Sequence, residues 1–301
     1  MRISTPQMFQ QRVTAILDQQ SAINKTQLQL ANGKRILAAA DDPAGSLRNL
    51  QLGDQLAQTE RFQKNLDSVK SRLTLEEGTL SSGVDVLQRV RELAIQAING
   101  SLGPADLKAI TAEVRGNLEG LLQIANTQDA NGESLFAGYQ GAVPAFTSDG
   151  SGNFTYHGDQ GQRYLQVSPT RQIAINDPGA GVFLGVPVTG GGMTSTFDIL
   201  DDFARSLEAG VPTPDTISDI DAAMEKIQAT RSEVGSRLRA VEDQRGINES
   251  FSLILQQSRS ELTDLDYAEA VSRFNQQLLA LQASQEMFSR IQGMSLFDYL
   301  G

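Results

Sequence analysis

Few side chains in this 301-residue chain are of a kind that performs chemistry, and their spacing argues against it. Asp41 and Asp42 are adjacent carboxylates, but a bound cation would need further oxygen ligands that no nearby position supplies. Asp42 before Pro43 suits an N-cap followed by proline at the first helical position, where its missing N–H costs nothing. His157 is the only histidine, so an imidazole metal site would need several acidic co-ligands to which nothing points. Its neighbours Tyr156, Gly158 and Asp159 suit a strand leading into a turn. Gly179-Ala-Gly181-Val-Phe-Leu-Gly185 has the glycines of a dinucleotide loop at the wrong spacing, with no helix expected after them. Cysteine is absent, which excludes disulfides, thiolate ligands and cysteine nucleophiles. There is no G-x-S-x-G elbow, P-loop or H-E-x-x-H pair. No catalytic, cofactor-binding or metal residue is assigned, and the chain is expected not to be an enzyme.

The arrangement of apolar side chains is the informative signal. The longest such arrangement runs from about residue 231 to 292. Val234, Leu238 and Val241 open a stripe in steps of three and four; Phe251, Leu255, Leu262 and Leu265 continue it; Val271, Phe274, Leu278, Leu281 and Phe288 close it. A sustained seam at this spacing predicts a coiled-coil-like helix that needs a helical partner. No proline follows Pro214 to interrupt it. The stripe slips phase near Asp266–Ala268, which predicts a kink or a change of packing environment.

Near the other end, Phe9, Val13, Ile16, Gln20, Ile23, Gln27 and Leu30 repeat in the same steps. With glutamine in two slots this seam is weak, and the helix is expected to be loose until something packs on it. Gly33 should end it at C′, with Lys34 and Arg35 beside the negative helix end. Gly33, Asp41, Asp42 and Pro43 then form a hinge into a second helix, from about Ser46 to Ile98. Its face carries Leu52, Leu56, Leu66, Val69, Leu73 and Leu80, and Gly78 and Gly83 interrupt it at about 1 kcal/mol each. Asn99–Pro104 reads as a turn, and a further helix is expected from about Pro104 to Asn126.

Composition changes at Leu135. Twelve of the 27 glycines fall between Gly138 and Gly192, among alternating runs at 154–156, 163–167, 172–175 and 182–184 that read as strands. This predicts a small, turn-rich β insertion, facing outward and dispensable for the helices around it. Helical spacing returns at Phe197, breaks at Pro212 and Pro214, and resumes at Ile217. The fold class is therefore mainly α with a small β insertion, built on long coiled-coil-like helical rods from the two terminal segments.

A net charge of −11 at pH 7 disfavours a nucleic-acid partner. Residues 1–40 are basic, while Asp198–Glu225 is strongly acidic and reads as a solvated face. No apolar run reaches the ~18 residues of a membrane span, so no membrane partner is expected. No apolar stretch follows Arg2 as a cleaved signal would require.

Five segments together resemble the flagellin family: Met1-Arg-Ile-Ser-Thr5, Gly33-Lys-Arg-Ile36, Asp41-Asp-Pro-Ala44, Leu135-Phe-Ala-Gly-Tyr139 and Ser232-Glu-Val-Gly-Ser-Arg-Leu238. Within that family, Leu265-Asp-Tyr-Ala-Glu-Ala270 and Ser295-Leu-Phe-Asp-Tyr-Leu300 are similar to the branch that joins hook to filament. Ala39-Ala40 departs from the Pro-Ser that often precedes the paired aspartates. The resemblance implies a structural junction adaptor of the bacterial flagellum, exported unfolded through the type III apparatus and seated outside the cell. The filament subunit itself is the alternative. Implied partners are the first hook-associated protein, flagellin, further copies of the chain in a ring, and an export chaperone on the C-terminal helix. It also implies layers: residues 1–41 with 262–301 as antiparallel rods forming an inner tube, 42–137 with 197–261 as a rod domain, and 138–196 as an outer, distal β domain; the weak seam adds that the inner layer is mobile in the monomer. The expected assembly interface is Phe9, Val13, Ile16, Ile23 and Leu30 against Phe274, Leu278, Leu281 and Phe288.

Overall fold

The computed structural model describes residues 5–98 and 102–300, without the side chains of residues 5, 6, 8 and 291–300. Met1–Ser4 of the N-terminal signature, residues 99–101 of the turn before Pro104, and the side chains of Ser295–Leu300 lie outside the described residues. The helices are α1 (Thr5–Asn32), α2 (Pro43–Ile98), α3 (Pro104–Ala125), α4 (Gly179–Phe183), α5 (Thr196–Glu208), α6 (Asp215–Thr263) and α7 (Tyr267–Leu300). The strands are β1 (Phe146–Ser148), β2 (Phe154–Tyr156), β3 (Tyr164–Ser168), β4 (Arg171–Ala174), β5 (Val186–Pro187) and β6 (Met193–Thr194). The fold is mainly helical with a small antiparallel β region, as expected. The chain divides into two compact units, residues 59–250 and residues 1–58 with 251–301.

The 59–250 unit holds the main core. Along α2, steps of three and four place Leu66, Val69, Leu73, Leu80, Leu87 and Val90 on one fully buried face. Ile110, Val114, Leu118 and Leu121 of α3 belong to the same cluster, as do Ile220, Ile227, Val234 and Val241 of α6. Leu238 is half-buried against it. Helix ends carry ordinary capping chemistry. The Ser195 hydroxyl accepts from Asp198 N at 3.0 Å, starting α5, and the Gly103 N–H donates to Asp106 Oδ2 at 3.0 Å beside Pro104 at the start of α3.

The β region consists of three two-stranded antiparallel hairpins, β1–β2, β3–β4 and β5–β6. Phe146 faces Tyr156 in the first and Leu165 faces Ile173 in the second, with a bulge after Gln166. One expectation fails here. Val182–Leu184 is not a strand, because Gly179–Phe183 forms a helical turn instead, and strand β5 follows Gly185. The driving force of the turn is burial, with the Phe183 ring 5.4 Å from Phe136 and 5.6 Å from both Phe146 and Phe197. The insertion also lacks a core of its own. Phe136, Phe146, Val167 and Phe183 bury into the same cluster as the α2, α3 and α6 leucines and valines.

In the other unit, α1 packs on α7, and Leu52 and Leu56 of α2 enclose a small cluster with Leu255 of α6. The phase slip read at Asp266–Ala268 coincides with the gap between α6 and α7.

Candidate assembly site

Two neighbouring features stand where the sequence placed function: the α1–α7 pair and the turn that joins α1 to α2. The turn is densely bonded. Gly33 ends α1 with φ +66°, and its N–H donates to Gln29 O at 2.8 Å, the left-handed stop that glycine adopts without cost. A Cβ at this position would lie 2.8 Å from Tyr267 Oη, so two requirements coincide on one glycine. Asp42 caps α2 as expected: Oδ1 accepts from Gly45 N at 2.8 Å and Pro43 opens the helix. Its other oxygen accepts from the Arg35 guanidinium at 3.1 Å. Asp41 does separate work, accepting from the N–H groups of Leu37 and Ala38 at 3.0 and 3.1 Å and pairing with Lys25 at 2.7 Å.

The same turn is stitched to the α6–α7 break. Leu265 N donates to Gly33 O at 3.0 Å, Arg35 N to Thr263 O at 2.8 Å, and the Arg35 guanidinium to Leu262 O at 3.0 Å. Lys34 pairs with Asp264. The two cations expected beside the end of α1 therefore serve the carboxyl end of α6, because the left-handed residue at Gly33 reverses the chain towards it. All three carboxylates ionise below the usual range. Lys25 and the two N–H donors lower Asp41; the Gly45 N–H and then Arg35 lower Asp42; Lys34 and Ser260 lower Asp264.

The α1–α7 pair is held differently. Ile23 is buried, Val13, Ile16 and Leu30 are half-buried, and Phe9 remains 49% exposed while its ring centroid lies 5.3 Å from that of Phe288. On α7, Phe274, Leu281 and Phe288 are half-buried, and Leu278 is exposed. The polar slots differ from the sequence reading. Gln20 and Gln27 are exposed, whereas Thr26 and Gln29 are buried. Thr26 Oγ1 is 2.9 Å from Gln277 Oε1, Gln19 Nε2 donates to Gln277 O at 3.2 Å, and Gln29 Nε2 donates to Arg35 O at 2.6 Å. Hydrogen bonding, which periodicity does not register, turns α1 so that these polar groups face inward.

Sequence reasoning missed a second apolar set. Leu17, Leu28, Leu279 and Met287 are 59%, 56%, 65% and 65% exposed, and a groove of about 310 Å³ opens between Arg12, Ile16, Ala283 and Met287. The signal was available: Leu17 follows Ile16 and Leu279 follows Leu278, and a neighbour one residue on lies about 100° around a helix. Together these four side chains leave apolar surface open on both α1 and α7.

No group of acidic or histidine side chains able to hold a metal occurs among the described residues. His157 is exposed beside Thr147, its Nε2 2.7 Å from the hydroxyl. One charged residue of the other unit went unnoticed. Glu76 occupies an apolar slot of α2 between Leu73 and Leu80 and is fully buried. Its Oε1 accepts from Asp177 N at 3.0 Å, Asp177 pairs with Arg237, and Oε2 has no hydrogen bond among the described residues. Burial first, and then the Asp177 charge, hold the Glu76 carboxyl well above its ordinary range against the pull of Arg237.

The chain is similar to known proteins in sequence and in fold. Residues 3–141 match the profile of the bacterial flagellin N-terminal helical region, and residues 217–300 that of the bacterial flagellin C-terminal helical region. The chain is 28% identical to flagellar hook-associated protein 3 of Escherichia coli, over 99% of both chains. It is also 28% identical to flagellin of Bacillus subtilis, over 90% of this chain and 89% of that one. The crystal structure of flagellar hook-associated protein 3 from Legionella pneumophila superposes with a TM-score of 0.66 at 22% identity, covering 70% of this chain and 98% of the other, a likeness of fold.

Proposed function

The chain belongs to the bacterial flagellin family, and from that premise we propose that it is the structural junction adaptor joining the flagellar hook to the filament. The observation that carries this reading is the match along 99% of both chains to a hook-associated protein. In this reading the exposed leucines of α1 and α7 are covered in the assembled flagellum. The interface comprises Phe9, Val13, Ile16, Ile23 and Leu30 with Phe274, Leu278, Leu281 and Phe288. Gly33, Asp41, Asp42 and Pro43 set the angle at which α1 leaves α2. Residues 1–41 and 262–301 line the inner tube, 42–137 and 197–261 form the rod layer, and 138–196 face outward. The first hook-associated protein lies on one side and flagellin on the other, with further copies of the chain completing a ring. The subunit travels unfolded through the flagellar type III apparatus to a place outside the cell, and an export chaperone covers the α7 seam beforehand. Its role is structural, without a catalytic step.

The similarity to Bacillus subtilis flagellin over 90% of the chain supports a second reading, the filament subunit. Electron microscopy of a deletion strain separates the two. Loss of an adaptor leaves hooks without filaments and flagellin shed into the medium. Filaments that persist on the hooks would overturn the adaptor reading.

A further inference from the structure

An open pocket of about 600 Å³ lies on the β insertion, where Gln160, Gln162, Tyr139 and Tyr164 meet Pro178 and Gly181. Two of the chain's five tyrosines stand here, 60% and 58% exposed. Both are fixed through one residue: Tyr139 Oη donates to Gln162 O at 2.8 Å, and Tyr164 Oη donates to Gln162 Oε1 at 3.0 Å. The Gln162 amide is anchored in turn, its Nε2 donating to Asp177 Oδ1 at 3.1 Å. Tyr139 is braced from behind as well. Asp159 Oδ1 accepts from the N–H groups of Tyr139 and Gly161 at 2.9 and 2.8 Å, and a Cβ at Gly161 would overlap the Tyr139 ring. One ring face is thus laid against a bare stretch of backbone, and the ring remains largely open to solvent.

We propose that this pocket binds a neutral saccharide, with the Tyr139 and Tyr164 rings as stacking platforms and the Gln160 amide as a hydrogen-bonding arm. Charge selects the class. A fifth of the chain is charged, yet no lining residue is, and the nearby ions are already engaged: Asp159 by backbone donors, Arg163 by Glu133, Asp177 by Arg237. A phosphate or a charged peptide would find no counterion. A sugar presents C–H faces that lie on an aromatic ring and hydroxyls that both donate and accept, matching a side-chain amide. A proline-rich peptide needs chiefly donors to its carbonyls between apolar ridges, and amides and bare backbone form much of this wall. Rings already held in place lose little freedom on binding.

The test is saturation-transfer NMR and titration of the purified full chain with chitotriose, cellotriose and maltotriose. At least one should bind with a dissociation constant below about 10 mM. Tyr164→Ala and Tyr139→Ala should each weaken it at least about tenfold with thermal unfolding unchanged, and Tyr164→Phe, which keeps the platform, should stay close to the parent. Should Tyr139→Ala fail to fold, the Tyr164 pair carries the comparison. Absence of binding by all three trisaccharides, or full binding by Tyr164→Ala, overturns the proposal. A decaproline peptide that binds through Tyr164 where the sugars do not overturns it too, assigning the pocket to peptide.

Discussion

The 59–250 unit and the α1–α7 pair are both helices joined by seams in steps of three and four, yet they are packed to different standards. In the former, Leu66, Val69, Leu73 and Val234 are fully buried. In the latter, Ile23 is the one predicted seam residue that is buried, the inward polar slots are Thr26 and Gln29, and Leu17 and Leu279 stand open. The same periodicity therefore has two uses. A seam of buried leucines and valines gives one unit a core of its own, whereas a partly polar seam flanked by open leucines leaves apolar surface uncovered.

The largest contrast comes from placing a charge in each seam. Val234→Asp buries an unpaired carboxylate at a cost of several kcal/mol, comparable with the stability of a domain, so the thermal transition of the free chain should vanish. Leu278→Asp, at a position 38% exposed, should leave that transition within a few degrees while abolishing filament attachment. Calorimetry beside an attachment assay reads both. The contrast breaks if Leu278→Asp unfolds the free chain as Val234→Asp does.

Next is the β insertion. Because the Phe146 ring lies 5.0 Å from both Tyr156 and Phe197, Phe146→Ala should cost about 3–5 kcal/mol. Replacing the insertion with a flexible linker should destabilise the 59–250 unit as a whole. Urea denaturation tests this. An unchanged midpoint would restore the sequence expectation of a dispensable appendage.

A smaller effect is expected at the turn. Gly33→Ala forces a side chain into the left-handed region at about 1–2 kcal/mol and pushes on Tyr267. Proteolysis between residues 33 and 42 should quicken while the calorimetric transition of the other unit stays in place. Equal cleavage of variant and parent would count against the turn as a rigid joint.

The smallest effect separates the two regions by the sign of their pH dependence. Asp41, Asp42 and Asp264 ionise more readily folded than unfolded. Their contribution is complete above the unfolded carboxylate value near ~4 and is lost as pH falls through the lowered folded values. Glu76 is the opposite case. Its folded form holds a proton that the unfolded chain releases, so stability declines as pH rises from the unfolded value through the raised folded one. Glu76→Gln should raise the melting temperature at neutral pH and flatten its dependence above pH ~5. A variant that melts lower at pH 7 but keeps the parent's pH slope would refute the assignment of that slope to Glu76.

Much of the architecture was legible in sequence because it depends on local rules. Leu66 to Val90 in steps of three and four, Asp42–Pro43 as cap and first residue, and Gly33 as stop each involve interactions within a few residues along the chain. Other features depend on groups distant in sequence. Gly179–Phe183 is helical rather than extended because Phe183 is drawn among Phe136, Phe146 and Phe197. Thr26 faces inward because Gln277, 251 residues away, meets it. Lys34 and Arg35 cap α6 rather than α1 because the chain reverses at Gly33. Glu76 interrupts an apolar face because Asp177 supplies an N–H there.

The amino-acid sequence by itself determined the long helices and the main apolar faces, since these follow from backbone preference and periodicity over a few turns, and its motifs carried the family resemblance. Only the tertiary structure decided which polar groups are buried, where the β insertion finds its core and which leucines stay open. Those outcomes turn on whether a distant segment supplies a hydrogen-bond partner or an apolar surface, and that choice is not encoded in any short window of residues.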